Sequence, residues 1–206
     1  MPEDLRDLPL RERKKRRTRL ALAETALRLF VERGYDATTL DDLCDEVEIS
    51  KRTFFRTYPS KEDVALAADS DLWSAYLERV AELDTEGPLV DLLHAALHDT
   101  LATMGPDWDR RFLTARHLCD TVPALEAHSL RYCHETTRAM IDQVSARRAV
   151  DPSDVRLRLA VEIVVSAWRT AALTWTAREG EGGRAGLTTL LTDTFAELPA
   201  ALAYAP

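Results

Sequence analysis

An all-α fold is predicted for this chain of 206 residues. Glycine and proline breaks at Gly87-Pro88, Gly105-Pro106, Pro123, Pro152 and Gly180 to Gly183 cut it into segments of about 15 to 27 residues. Inside the segments apolar residues recur at three- and four-residue spacing, and none alternates apolar with polar residues as a half-buried strand would. The predicted helical segments after residue 59 are 60–84, 88–104, 107–120, 123–148, 153–179 and 184–203. With three helices before them, about nine are expected.

In chain order, Met1 to Leu10 carries Pro2, Pro9 and mixed charges and is expected to be a flexible arm. A first helix runs from about Arg11 to Arg33, with Leu22, Ala26, Leu29 and Phe30 on one face and Gly34 as its stop. Thr38 and Thr39 are N-cap residue types, and Leu40, Leu43 and Val47 then form one stripe of a short second helix. Ser50 caps a third helix whose apolar residues Phe54 and Tyr58 stand four apart. Pro59 breaks the chain, and the Ser60-Lys61-Glu62-Asp63 run opens a helix expected to reach Leu83.

Two short capped helices around a tight break form a helix-turn-helix, whose second helix enters the DNA major groove with its N-terminal half against base edges and phosphates. Here that half is Lys51, Arg52, Thr53, Phe55, Arg56 and Thr57. A plain αα-hairpin would share the caps and the apolar spacing. The basic, hydroxyl-bearing face favours DNA, because it occurs in a chain of formal net charge -8. Residues 1–58 hold 13 Lys/Arg against 12 Asp/Glu, whereas 59–206 hold 14 against 23. The run Arg11 to Arg19 has seven basic residues and one acidic one, a footprint suited to phosphates or a minor groove, with a solvated basic arm as the alternative.

From Arg16 to Val64 the chain resembles the DNA-binding domain of the TetR family of bacterial repressors. The resemblance is carried by Thr18-Arg19, the run Ala26 to Phe30, Glu32 to Tyr35, Thr38-Thr39, and Ser50 to Asp63. It implies a three-helix DNA-binding domain over residues 1–59 and a helical ligand-binding and dimerisation domain over 60–206. Pattern and resemblance together give Arg16, Arg17, Arg19, Thr38, Thr39, Ser50, Lys51, Arg52, Thr53, Phe55, Arg56, Thr57 and Lys61 as the DNA-binding set. Two departures stand out. Glu48 occupies a turn position that is commonly Gly, and Phe55 a position that is often Tyr, whose hydroxyl touches a phosphate.

The C-terminal half is rich in apolar residues. Between Val155 and Trp175 they surround nearly the whole segment, and Leu187, Leu190, Leu191, Phe195 and Leu198 repeat the pattern more weakly, with Leu191 expected to face outward. Two such helices can form a four-helix interface with their symmetry mates, which the resemblance also implies; a monomeric bundle core is the alternative. A twofold dimer would read two half-sites about one helical turn apart, so the operator is expected to be near-palindromic. The family's C-terminal helices enclose a small-molecule pocket. The candidate lining residues are Trp73, Tyr76, Trp108, Phe112, Arg116, Tyr132, Met140, Trp168, Arg169 and Trp175, and the C-terminal layout resembles the subgroup that takes acyl-CoA-like ligands. Arg169 stands out because it falls inside an almost continuously apolar helix, where a buried unpaired charge would be costly; Glu162, seven residues earlier, could neutralise it, and otherwise Arg169 is available for an anionic ligand.

Other chemistry has less footing. His94 and His98 stand four apart and could ligate a metal, with His117, Cys119, Cys133 and His134 as further ligand types, but no H-E-x-x-H and no tight cysteine pair occurs. No G-x-S-x-G, P-loop or dinucleotide fingerprint is present, so no enzyme activity and no cofactor are expected. Cys44, Cys119 and Cys133 suit buried inert thiols, with a redox pair of Cys119 and Cys133 as the alternative. No run approaches a membrane span and the N-terminus lacks a signal-peptide pattern, so a cytoplasmic protein without membrane contact is expected.

Overall fold

The computed structural model describes residues 9–204, and among them every regular element is a helix. These are α1 (Leu10–Arg33), α2 (Leu40–Glu46), α3 (Lys51–Thr57), α4 (Lys61–Ala65), α5 (Ala67–Ala81), α6 (Leu89–Thr103), α7 (Trp108–Thr121), α8 (Pro123–Arg148), α9 (Val155–Ala177), α10 (Gly183–Ala196) and α11 (Leu198–Leu202). The all-α expectation holds, with eleven helices where about nine were expected. The segment 60–84 is interrupted at Leu66, whose φ of -97° and ψ of 24° leave the helical region. The segment 184–203 restarts at Leu198 because Pro199 has no N–H to donate and its ring would crowd the carbonyl four residues back. No described helix is long and apolar enough to cross a membrane.

The caps form as the residue types dictate. The Thr39 hydroxyl accepts from the Asp42 N–H while the Asp42 carboxylate accepts from the Thr39 N–H at 2.7 Å, a reciprocal capping box. The Ser50 and Ser60 hydroxyls accept from the N–H groups of Thr53 and Asp63 and start α3 and α4. Met1 to Leu8 of the expected arm lie outside the described residues. The basic run that follows is helical: Leu10 opens α1, and Arg11 to Arg17 are exposed on its first turns.

The break between α2 and α3 is a Schellman motif. The Ile49 N–H donates to the Cys44 carbonyl at 2.9 Å, the Glu48 N–H donates to the Asp45 carbonyl at 3.2 Å, and Glu48 sits at φ 54°. The geometry that glycine would serve is therefore kept with a side chain on it, at a cost of about 1 kcal/mol. Ile49, just beyond, packs against the core and fixes the angle at which the chain leaves α2.

By internal packing the chain divides into two units, residues up to Ser70 with Arg110–Leu130, and Asp71–Asp109 with Arg131–Pro206. The first is held by a core of Leu22, Ala26, Leu29 and Phe30 from α1, Leu43 from α2, Phe54 from α3 and Val64 and Ala65 from α4. Ala115, Leu118 and Leu125 complete it, so residues from α7 and α8 belong to the same core although far away in sequence. Near them Arg116 pairs with Asp69 at 3.2 Å, both largely buried, and His128 meets Asp63 at 3.1 Å.

In the second unit α9 packs along α6 and α10. Val161, Val164, Trp168 and Trp175 of α9 are buried, as are Leu187 and Leu191 of α10. A Cβ on Gly186 would lie 2.2 Å from the Glu181 carbonyl, so only glycine admits this approach, which the Trp175 indole N–H closes with a 3.2 Å bond to the same oxygen. Leu191 does not face outward as expected, because its side of α10 is the one that meets α9.

Replacing Glu48 by Gly should relieve the left-handed strain and raise the unfolding free energy by up to about 1 kcal/mol, while Glu48→Val should lower it by roughly 1–2 kcal/mol. Urea unfolding followed by circular dichroism checks both signs. Equal midpoints for all three proteins would contradict the strain.

Candidate nucleic-acid interface

Helix α3 is seven residues long and amphipathic across its width. Phe54 is completely buried and Tyr58, just past its end, nearly so, whereas Lys51, Arg52, Phe55 and Arg56 are exposed and Thr53 and Thr57 half-buried. The helix therefore presents three cations, one aromatic ring and two hydroxyl-bearing residues on the side opposite its anchor. The Thr57 hydroxyl donates to the Thr53 carbonyl at 2.8 Å. Lys51 is not idle: its ammonium lies 2.8 Å from Asp41 of α2, a hydrogen bond that raises the lysine pKa.

Several residues expected to touch DNA have partners inside the unit. The Arg19 guanidinium lies 4.5 Å from the centre of the Tyr58 ring and donates to the Thr57 carbonyl at 3.5 Å and to the Ser70 hydroxyl at 3.4 Å. The Tyr58 hydroxyl donates back to the Arg19 carbonyl at 3.1 Å. Thr38 is buried, with its hydroxyl on the carbonyls of Gly34 and Leu29. The Lys61 ammonium donates to the Tyr35 carbonyl and lies 4.0 Å from the centre of that ring, and burial lowers its pKa. Arg19 thus ties α1 to the C-terminal end of α3, while Lys61 ties α4 to Tyr35 and Thr38 closes the turn after α1. Arg16 and Arg17 remain exposed, and Thr39 and Ser50 are exposed cap residues. Asp41, the partner of Lys51, was not singled out by the sequence reading; its signal was an acidic residue in the first turn of α2.

Residues 22–68 match the family described as bacterial regulatory proteins, tetR family, and residues 87–203 match the MftR C-terminal domain. The chain is 33% identical over 175 residues to the HTH-type transcriptional regulator TcmR of Streptomyces glaucescens, which covers 81% of this chain and 76% of that protein. The chain belongs to the TetR family. Like other members it is a DNA-binding transcriptional regulator and not an enzyme. The TetR fold recurs in the Thermus thermophilus repressor FadR, solved in complex with lauroyl-CoA (TM-score 0.51, 22% identity, 88% of this chain and 93% of that one). It recurs again in a putative TetR-family regulator from Mesorhizobium loti (TM-score 0.53, 18% identity, 91% and 97%).

The ten residues expected to line a ligand pocket divide between the two units. Phe112 and Arg116 fall in the first; Trp73, Tyr76, Trp108, Tyr132, Met140, Trp168, Arg169 and Trp175 fall in the second. Arg116 is occupied by Asp69 and also donates to the Ser129 hydroxyl at 3.2 Å. Trp73 meets Trp168 and Tyr76 edge-on with centroids 5.9 and 5.6 Å apart, and the Tyr76 hydroxyl donates to the Leu93 carbonyl at 3.0 Å. Trp108 and Met140 are buried and Tyr132 half-buried. Arg169 is exposed, together with Val155, Leu159, Glu162, Ser166, Thr170 and Leu173, all on one face of α9. The expectation of a buried cation is corrected: α9 keeps one face in water, and Arg169 is on it. A shallow cleft of about 300 Å³ between Leu89, Val144, Arg148, Val150, Leu157 and Ala160 includes none of the ten.

His94 stacks on Phe195 with centroids 4.0 Å apart, while His98 is exposed 3.8 Å from Asp99. Among the described residues no group of three His, Cys, Asp or Glu side chains is placed to hold a metal ion. All three cysteines are free thiols, and burial pushes the Cys119 pKa up to about 11, away from the reactive thiolate.

Loss of a base contact in Arg52→Ala should cost about 1–3 kcal/mol on a selected DNA site, and Lys51→Ala should reduce the slope of log affinity against log salt by about one. Asp41→Asn, which frees Lys51 and removes a charge facing phosphate, should tighten binding. Fluorescence anisotropy at several salt concentrations measures all three, and unchanged affinity in both the Arg52 and Lys51 variants would contradict the interface.

Proposed function

We propose that the protein is a cytoplasmic repressor that binds a near-palindromic operator as a homodimer and is released by a small hydrophobic or acyl-type effector. The observation that carries the reading is the exposed Lys51, Arg52 and Arg56 face on a helix anchored by Phe54 and Tyr58, in an otherwise acidic chain. DNA contact is made by this face and by Arg16 and Arg17. Dimerisation uses the outward face of α9, where Val155, Leu159 and Leu173 are 66%, 56% and 52% exposed. Glu162 and Arg169 lie two turns apart on the same face, so an antiparallel copy sets each Glu162 against the other's Arg169. The lauroyl-CoA bound by the Thermus thermophilus repressor supports an acyl-type effector, and the aromatic cluster of Trp73, Tyr76 and Trp168 supports an apolar one. Effector and operator then oppose each other through a coupling of about 1–3 kcal/mol.

Sedimentation of the protein with a DNA fragment selected from a random library tests the reading in one experiment. The complex should contain an even number of chains per fragment, and Leu159→Glu with Leu173→Glu should reduce the free protein to one chain and weaken the complex. Among acyl-CoAs of graded chain length, at least one should return the DNA to its free sedimentation rate. A wild-type protein that sediments as one chain at micromolar concentration would overturn the dimer, and a complex indifferent to every acyl-CoA would remove the acyl effector.

A further inference from the structure

We propose that Phe55 is a specificity-determining residue that reads the C5-methyl group of a thymine in the operator's major groove. The inference rests on the operator-binding function proposed above and names what one residue of that interface recognises. Phe55 is 52% exposed, on the same short helix whose neighbouring ring, Phe54, is completely buried. It is the one large apolar side chain on the outward face of α3. Lys51 precedes it by one helical turn and Arg56 follows it directly, both exposed. A surface that lies along the side of α3 shared by Lys51 and Phe55 therefore also meets the Phe55 ring.

The ring is held in place before DNA arrives. Its centroid lies 5.5 Å from that of Phe54 and the planes cross at 85°, an edge-to-face contact with a residue fixed in the core. A phenyl ring has neither donor nor acceptor, so pressing it against a phosphate oxygen would strip water from the anion and return nothing. The major-groove edges of guanine, adenine and cytosine offer N7, O6, N6 and N4 groups, all of which need polar partners. Thymine alone presents an exposed methyl group there, and an aromatic ring is among the side chains that pack on it. Cations beside the ring anchor the backbone; the ring itself discriminates by shape and by the absence of polarity.

The test uses deoxyuridine, which differs from thymidine only in lacking that methyl. A DNA fragment is selected from a random-sequence library by the full-length wild-type protein, and each thymine of the selected site is replaced singly by deoxyuridine. At one position per half-site the wild-type protein should bind about fourfold more weakly, the worth of one buried methyl group. Phe55→Ala should bind the parent fragment more weakly yet show no difference between thymine and uracil at that position. Phe55→Leu, which keeps an apolar contact, should retain part of the discrimination, and circular dichroism melts establish that both variants fold. If the wild-type protein binds every uracil-substituted fragment as tightly as the parent, the inference is overturned. It is equally overturned if Phe55→Ala discriminates as well as wild type, since another residue then reads the methyl. Failure to select any preferred sequence would overturn the operator-binding function itself, an outcome distinct from selection of a site indifferent to its methyl groups.

Discussion

A helix of seven residues does not hold its shape in water, because isolated helices shorter than about 12–15 residues are marginal even with favourable sequences. Everything proposed for α3 therefore depends on the way it is pinned. Phe54 is sealed in the core, Tyr58 closes the C-terminal end under the Arg19 guanidinium, and the Schellman turn through Glu48 sets the angle of departure from α2. The three act at the middle, the C-terminal end and the N-terminal end of the helix. With the apolar side spoken for, the outward side carries Lys51, Arg52, Phe55 and Arg56, where Lys51 pairs with Asp41 and the Phe55 ring rests edge-to-face on Phe54.

The same economy explains why basic residues near the interface serve two distinct purposes. Arg19 and Lys61 use their charge over aromatic rings and on backbone carbonyls, where the partly buried setting makes cation–π contact worth more than at the surface. Arg16, Arg17, Arg52 and Arg56 stay in solvent, and the proposed function assigns their charge to the polyanion. In the proposed interface, Asp41 beside Lys51 tempers a face that would otherwise attract any phosphate backbone, which places more of the binding on contacts that depend on sequence.

Much of the architecture was legible because local chemistry and tertiary packing agree. Ser50, Ser60 and Thr39 cap helices as their hydroxyls predict, Gly34 ends α1, and Glu48 adopts the left-handed geometry its position demands. Where the reading failed, a longer-range force decided. The interruption at Leu66 falls in a run of good helix formers with no glycine or proline; burial of residues 64–69 overrides propensity. Pro199 did signal the restart before α11, but the apolar spacing across it concealed the break. Arg19, Thr38 and Lys61 have the side chains of DNA ligands, and only three-dimensional neighbours reveal the contacts they make inside the unit, with Thr38 buried and Arg19 and Lys61 half-buried. Leu191 and Arg169 were misplaced for a related reason: when apolar residues surround most of a helix, periodicity no longer tells which side meets a partner in the same chain.

Guanine methylation interference is the most direct measurement of whether α3 lies in the major groove. A selected DNA fragment is methylated sparsely at guanine N7, bound, and the free and bound populations are compared base by base. The account predicts that methylation excludes binding at guanines in two clusters about one helical turn apart, related by the symmetry of a near-palindrome. It also predicts that the cluster signal weakens in Arg52→Ala. A bound population carrying methyl groups at every guanine as often as the free one would contradict major-groove recognition by this helix.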